Sequence, residues 1–388
     1  CGRLKWDGSV MASCHQAMAA SMSGLPFFEI QILKGTHTMR CYCVMHHSKP
    51  LELVERETPQ PVETEVLVRV KAAGLCHTDL HIWEGFYDLG GGKRLNLADR
   101  GIKPPIILSH EICGEVASAG ADAGEVKVGG RFLIHPWIGC GECPTCLRGD
   151  ENLCLKGRAL GVARPGGFAD YVIVPHPRYL VNIDGLDEAE AAPLACAGVT
   201  TYSAIKKLGD GIHHEPVVII GAGGLGLMAI EVLKALGGKG AIVVDIDPAK
   251  REAALAAGAL SVIDGKAADA ASQIIAATEG GAGQILDLVG SAPTVSLAMQ
   301  SARRGGHIVI CGLMGGDLTI SLATIPLRPL CIEGSYVGTL SELRELVELV
   351  KRSGMKSIPV SRRPMAQVNQ AIDDLHHGKV IGRAVLIP

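Results

Sequence analysis

No stretch of this chain approaches the ~20 consecutive apolar residues that a membrane-spanning helix needs. Nor is there an excess of positive charge. Lys and Arg number 37 against 40 Asp and Glu, a formal net charge of -3, which leaves no basic field for nucleic acid and no polybasic run for an anionic membrane. Internal repeats and low-complexity tracts are also missing. With 47% hydrophobic and 20% charged residues over 388 positions, composition excludes a disordered chain and leaves enough apolar material for two domains with separate cores.

Cysteine, in contrast, is plentiful, with 13 residues. Cys140, Cys143, Cys146 and Cys154 form a C-x2-C-x2-C-x7-C cluster in GCGECPTCLRGDENLC. Four thiolates this close converge on one tetrahedral metal without long-range folding, and an all-sulfur site leaves no open coordination position. A disulfide loop is the competing reading, but residues so close in sequence pack poorly into two disulfides. Thiolates on metal, with Cys41, Cys113 and Cys311 as small buried hydrophobes, point to a reducing compartment, the cytoplasm.

Residues 1–38 begin at Cys1, carry few Lys or Arg and show no clear periodicity. They are expected to be an extension, a gene-boundary artefact rather than a transit peptide. From Met39 to about residue 197, short alternating segments are punctuated by Gly and Pro. In EVLVRVKAAG, Val66, Val68 and Val70 fall on one strand face, opposite Glu65, Leu67 and Arg69. GEVASAG, RFLIHPW and ADYVIVP read likewise, giving a mostly β domain. Beyond Pro193, near-continuous apolar strands (PVVII, AIVVD, SVID, QILDLVG, HIVICG) alternate with amphipathic helical patterns. That alternation requires a parallel sheet covered on both faces, a doubly wound α/β domain over residues 198–337. The tail, 338–388, is expected to return to the first domain, which then comprises 39–197 and 338–388 with the four-cysteine lobe at 139–155.

The strand PVVII runs directly into Gly221-Ala222-Gly223-Gly224-Leu225-Gly226, matching G-x-G-x-x-G. Gly221 permits the tight turn, Gly223 lets backbone approach a pyrophosphate, and Gly226 lets helix and strand pack closely. The following helix points its positive end at the phosphates. Asp245 ends the next strand, where a carboxylate accepts bonds from the adenosine ribose hydroxyls and repels a 2′-phosphate, so NAD is favoured over NADP. Lys250, with Arg251 beside it, adds positive charge to the same cofactor-binding set.

Three further segments carry donor residues: GLCHTDLH with Cys76, His77, Thr78, Asp79 and His81; SHEICGEV with His110 and Glu111; and PLACAGVTTY with Cys196. Singly each is ambiguous, since a lone Cys or His is more often a packed core residue. Together with the four-cysteine lobe, GAGGLG and the terminal GRAVLIP, and in that order, they resemble the zinc-dependent medium-chain alcohol dehydrogenase family over essentially all of residues 39–388. The resemblance implies a GroES-like catalytic domain beside the NAD-binding Rossmann domain, and two Zn2+ per chain. It assigns the catalytic zinc to Cys76, His110 and Cys196, and the structural zinc to the four clustered cysteines.

On that resemblance, an alcohol at the open zinc position loses its proton near neutral pH, and the alkoxide gives hydride to NAD, yielding aldehyde or ketone. Thr78 passes the proton through the nicotinamide ribose to His81. Asp79 orients His110, and Glu111 is either an alternate zinc ligand or a salt-bridge partner. His77 and Arg383 match pyrophosphate contacts, and Tyr87 and Trp137 match either pocket walls or plain core. Ser109 departs from the Gly that usually precedes His-Glu. The long segment DLGGGKRLNLADRGIKPP resembles a microbial subgroup whose members are tetramers, implying a homo-oligomer. A polyol dehydrogenase would carry an acid in place of Cys196, and an NADP-linked reductase would lack Asp245. A catalytically silent relative would have lost a ligand or the Thr78–His81 pair.

Overall fold

The computed structural model describes residues 38–388. Apart from Thr38, which opens the first strand, the extension expected at residues 1–38 lies outside the described residues. Two sheet systems dominate. Six parallel strands lie in the order Ser261–Asp264, Ala241–Asp245, Val217–Ile220, Ala282–Asp287, Ala302–Ile310 and Cys331–Gly334. The sequence order 3-2-1-4-5-6 places a topological switch point between Val217–Ile220 and Ala282–Asp287, where the carboxyl ends of the strands open a crevice. All four residues of Val217–Ile220 are buried, as a strand covered on both faces must be. The helices Gly224–Ala235, Pro248–Ala256, Ala270–Ala277 and Ala292–Ser301 supply the crossovers.

The second system is antiparallel around the long strand Val66–Leu75, which pairs with Glu111–Ala119, Tyr171–Val174 and the C-terminal strand Arg383–Ile387. Val360–Pro364 runs parallel to that last strand. Val66, Val68 and Val70 are buried and Arg69 is exposed, as alternation requires; Leu67 is buried too, because the strand is covered on both sides. Pairing of Glu111 with Gly74 and of Ala384 with Leu75 brings the end of Val66–Leu75 and the beginnings of its two antiparallel partners to one end of the sheet. Among the described residues no helix is long and apolar enough to cross a membrane.

Candidate active site and metal centres

The helix His77–Glu84 begins where Val66–Leu75 ends, and its cap is itself a candidate ligand. Cys76 Sγ accepts from the Thr78 amide at 3.3 Å, while Asp79 Oδ2 accepts from the Cys76 amide at 2.9 Å. The other carboxylate oxygen of Asp79 accepts from the Ser109 amide at 2.9 Å and lies 3.6 Å from His110 Nδ1. One fully buried carboxylate thus ties together two donor-bearing segments and faces the imidazole nitrogen away from Cys76. Ser109 occupies the left-handed region, φ 75°, where the glycine it replaces would sit without strain. Its hydroxyl offsets the cost by donating to Gly74 O at 2.9 Å.

Cys196 ends a 3-10 turn and precedes the buried helix Ala197–Leu208. Its Sγ, Cys76 Sγ and a His110 nitrogen lie within 4.8 Å of one another, all buried, with Cys76 Sγ 3.0 Å from His110 Nε2. Burial alone would push the Cys76 thiol up, but the Cys196 thiol and the His110 imidazole hold its pKa well below the ordinary value. Cys196, beside that thiolate, is pushed well above. Two sulfurs this close ionise together once a cation neutralises them, so the donor set fits a divalent metal. The second cluster fits as well. Four sulfurs ~2.3 Å from zinc stand about 3.8 Å apart, and here Cys140–Cys146, Cys143–Cys146 and Cys143–Cys154 are 3.8, 3.5 and 3.9 Å. Backbone amides around Glu142 lower the Cys140 thiol to about 6, whereas burial raises Cys146 to about 12. A third group, His307, Cys331 and Glu333, also brings donors within 4.8 Å. Lys207 Nζ sits 2.8 Å from Glu333, however, which makes it an ion-pair network on the sheet edge.

Glu111 is fully buried. Its Oε2 lies 3.2 Å from Arg383 Nε, and its Oε1 accepts weakly from the Ala197 amide at 3.4 Å. This is the arrangement of a salt-bridge partner, one of the two roles expected for it. Burial, opposed by Arg383, raises its pKa to about 8. A side chain at Gly74 would collide with Glu111 Oε2, so this strand end accepts glycine.

Arg383 also donates to Leu75 O at 3.2 Å, while its buried Nη2 has no partner and lies beside Gly224. An orphaned guanidinium nitrogen beside a glycine-rich turn fits an anionic cofactor. The turn itself fits too. Gly221 has φ 99°, a Cβ at Gly226 would strike Gly221 O, and a Cβ at Gly223 would point into open space. Leu225, half-buried, packs against the core from the first turn of the helix. Asp245 accepts from the amides of Ala222 at 2.7 Å and Asp247 at 2.8 Å, bracing the turn from the neighbouring strand. His77 is solvent-accessible but walled by protein. That partial burial, with Arg383 and Lys250 in range, lowers its pKa to about 4 despite the nearby Cys76.

Thr78 is half-buried at the head of its helix, and His81 lies one turn on with its ring 4.7 Å from that of Tyr87. Trp137 is buried, its ring centroid 5.2 Å from His110 and its indole N–H donating to Ala195 O at 3.2 Å, so it braces the residue before Cys196. Sequence reasoning missed Tyr336, whose ring lies 6.2 Å from Trp137. It follows the last parallel strand in an aperiodic link, where nothing local marks a wall residue.

A six-stranded nucleotide-binding sheet, joined to an antiparallel domain that gathers Cys76, His110 and Cys196, defines a zinc-binding dehydrogenase. Family models agree: residues 62–185 match the alcohol dehydrogenase GroES-like domain, and residues 224–352 match the zinc-binding dehydrogenase domain. The chain is 37% identical to an NAD-dependent alcohol dehydrogenase of Sulfurisphaera tokodaii, over 90% of this chain and 100% of that one. It is 34% identical to a D-arabinose 1-dehydrogenase (NADP(+)) of Saccharolobus solfataricus, over 88% and 95% respectively. The crystal structure of the alcohol dehydrogenase from Aeropyrum pernix superposes with a TM-score of 0.80 at 30% identity, covering 90% of this chain and 100% of that one. The chain belongs to the zinc-dependent medium-chain alcohol dehydrogenase family.

Proposed function

We propose that this chain is an NAD-dependent alcohol dehydrogenase, transferring hydride reversibly between a primary or secondary alcohol and NAD to give aldehyde or ketone and NADH. The observation that carries the reading is the buried Cys76–His110–Cys196 convergence, joined through the Glu111–Arg383 ion pair to the glycine turn. Cys76, His110 and Cys196 hold one zinc, and Cys140, Cys143, Cys146 and Cys154 a second. Gly221, Gly223, Gly224, Leu225, Gly226 and Arg383 receive the pyrophosphate, with His77 and Lys250 at its flank, and Asp245 takes the adenosine ribose. When bound, zinc lowers the pKa of a hydroxyl and NAD accepts the hydride.

The chain's own residues do the rest. Asp79 holds His110 in the tautomer whose Nε2 is a free lone pair. Thr78 accepts the substrate's hydroxyl proton, which leaves by way of His81. Trp137 and Tyr87 exclude water. Residues 39–197 with 338–388 form the catalytic domain and 198–337 the NAD-binding domain, and the working form is a cytoplasmic homotetramer. The D-arabinose relative uses NADP(+) by its name, a cofactor that the Asp245 carboxylate opposes. Following absorbance at the NADH band with ethanol, benzyl alcohol, a secondary alcohol and D-arabinose, with and without chelator, tests the reading. Chelator-sensitive turnover of a simple alcohol with NAD is expected. Metal-loaded protein that oxidises none of the simple alcohols overturns it.

A further inference from the structure

Alcohol oxidation releases a proton for each hydride, and His81, where the proposed path reaches the protein's edge, is not free in solvent. Its side chain is 16% exposed and covered by the Tyr87 ring. Its Nδ1 faces Glu84 Oε2 at 3.9 Å, one helical turn on. The other carboxylate oxygen of Glu84 lies 3.8 Å from Nδ1 of His376, the last residue of the helix Val368–His376. Exposure rises along the series, from 16% at His81 to 26% at Glu84 and 46% at His376.

We propose that Glu84 and His376 carry the proton from His81 to bulk water. This rests on the reading of Thr78 and His81 as the inner part of the path. His81 takes the substrate's proton on one ring nitrogen and gives up the Nδ1 proton to the Glu84 carboxylate. The carboxyl group passes a proton to His376 Nδ1, and His376 releases its Nε2 proton to water. O–H and N–H bonds alone are exchanged, and no electrons are transferred. Both gaps lie a little beyond direct hydrogen bonding, and a small rotation of the Glu84 side chain closes each in turn.

The neighbours offer no rival route. Tyr87, from the strand Phe86–Gly90, is held protonated by burial. His47, packed against Gly85 from the loop after the first strand, has its Nδ1 3.3 Å from Trp83 O. Cys76 and His77 lie at the opposite, inner end of the helix. His377, with its ring centroid 5.3 Å away, turns its own Nδ1 to the Asp373 carbonyl.

The test compares wild type with Glu84→Gln, His376→Gln and His81→Gln in metal-loaded protein. A pH-indicator dye in stopped flow follows proton release during a single turnover in dilute buffer. Glu84→Gln and His376→Gln should slow release about tenfold, within what positioned proton transfer contributes, with KM unchanged and recovery in concentrated imidazole buffer. An independent readout is the imidazole NMR titration without NAD or alcohol, in which Glu84→Gln should lower the pKa of His81. If His81→Gln slows release while the two outer variants match wild type, the extension is wrong and the inner path stands. If none of the three slows release, the inner path fails as well. A Glu84→Gln variant that leaves His81 unmoved in the titration also overturns the proposal.

Discussion

Asp79 bears more of the site than any donor it supports. Its two oxygens accept from the amides of Cys76 and Ser109, and one of them faces His110 Nδ1 at 3.6 Å. Asn in its place keeps the shape but presents an NH2 to one of these donors, so Asp79→Asn should leave the fold intact and weaken catalytic-site zinc binding about 10–100-fold. Competition with a chromophoric chelator measures this, and unchanged affinity would show that the carboxylate merely caps its helix. Asp245 is likewise doubly engaged. Because it braces the amides of Ala222 and Asp247 besides its proposed ribose contact, Gly is a poor probe and Ser, which keeps an acceptor, is a better one. Asp245→Ser removes the charge that opposes a 2′-phosphate and should raise the NADP-to-NAD ratio of kcat/KM about 10–100-fold, the worth of one or two charge-assisted bonds. An unmoved ratio would sink the assignment.

At the scale of elements, the alternation from Val217 to Ile310 is legible because short apolar runs, clearest in Val217–Ile220 with all four residues buried, recur between longer helical patterns. The donor residues were legible as types, but not as a set. Cys76, His110 and Cys196 come from three elements whose convergence depends on the pairing of Val66–Leu75 with Glu111–Ala119, which no local pattern encodes. The short hairpin of Phe86–Gly90 with Lys93–Asn96 and the edge strand Cys331–Gly334 are not legible in the sequence. Both are short, and on the outer strand Cys331, Ile332 and Gly334 stay exposed, so the apolar signal was too weak.

The strand Arg131–Ile134 hides a liability of its own at its end. His135 is fully buried against Tyr179, and neither ring nitrogen has a hydrogen-bond partner. Burial holds its pKa down to about 3. Since that lies below the unfolded value of ~6.5, the neutral ring's contribution is complete above pH 6.5 and is lost as pH falls through the window toward 3. At pH 4.5 the loss is about 3 kcal/mol. His135→Phe, which keeps the ring stack, should show a shallower fall in urea midpoint between pH 7 and 4.5 than wild type. Parallel slopes would mean that another group causes the acid loss.

At the scale of the whole molecule, the six-stranded sheet ends, among the described residues, in the edge strand Cys331–Gly334, and apolar residues on it and flanking it are exposed: Leu322, Leu327, Ile332 and Tyr336. An uncovered edge of this kind invites pairing with another strand, and natural proteins blunt it with charge or cover it. Here the leucines and the isoleucine are exposed, which suits a second copy of the same edge meeting it across a two-fold axis. The prediction is that native mass spectrometry finds a tetramer, and that Leu327→Lys combined with Ile332→Lys shifts it to smaller species. Since neither residue touches the cysteine and histidine donors, zinc content per chain should stay the same. A wild-type monomer would remove the oligomer from the proposed function, and a variant that stays tetrameric would mean that the copies meet on another face.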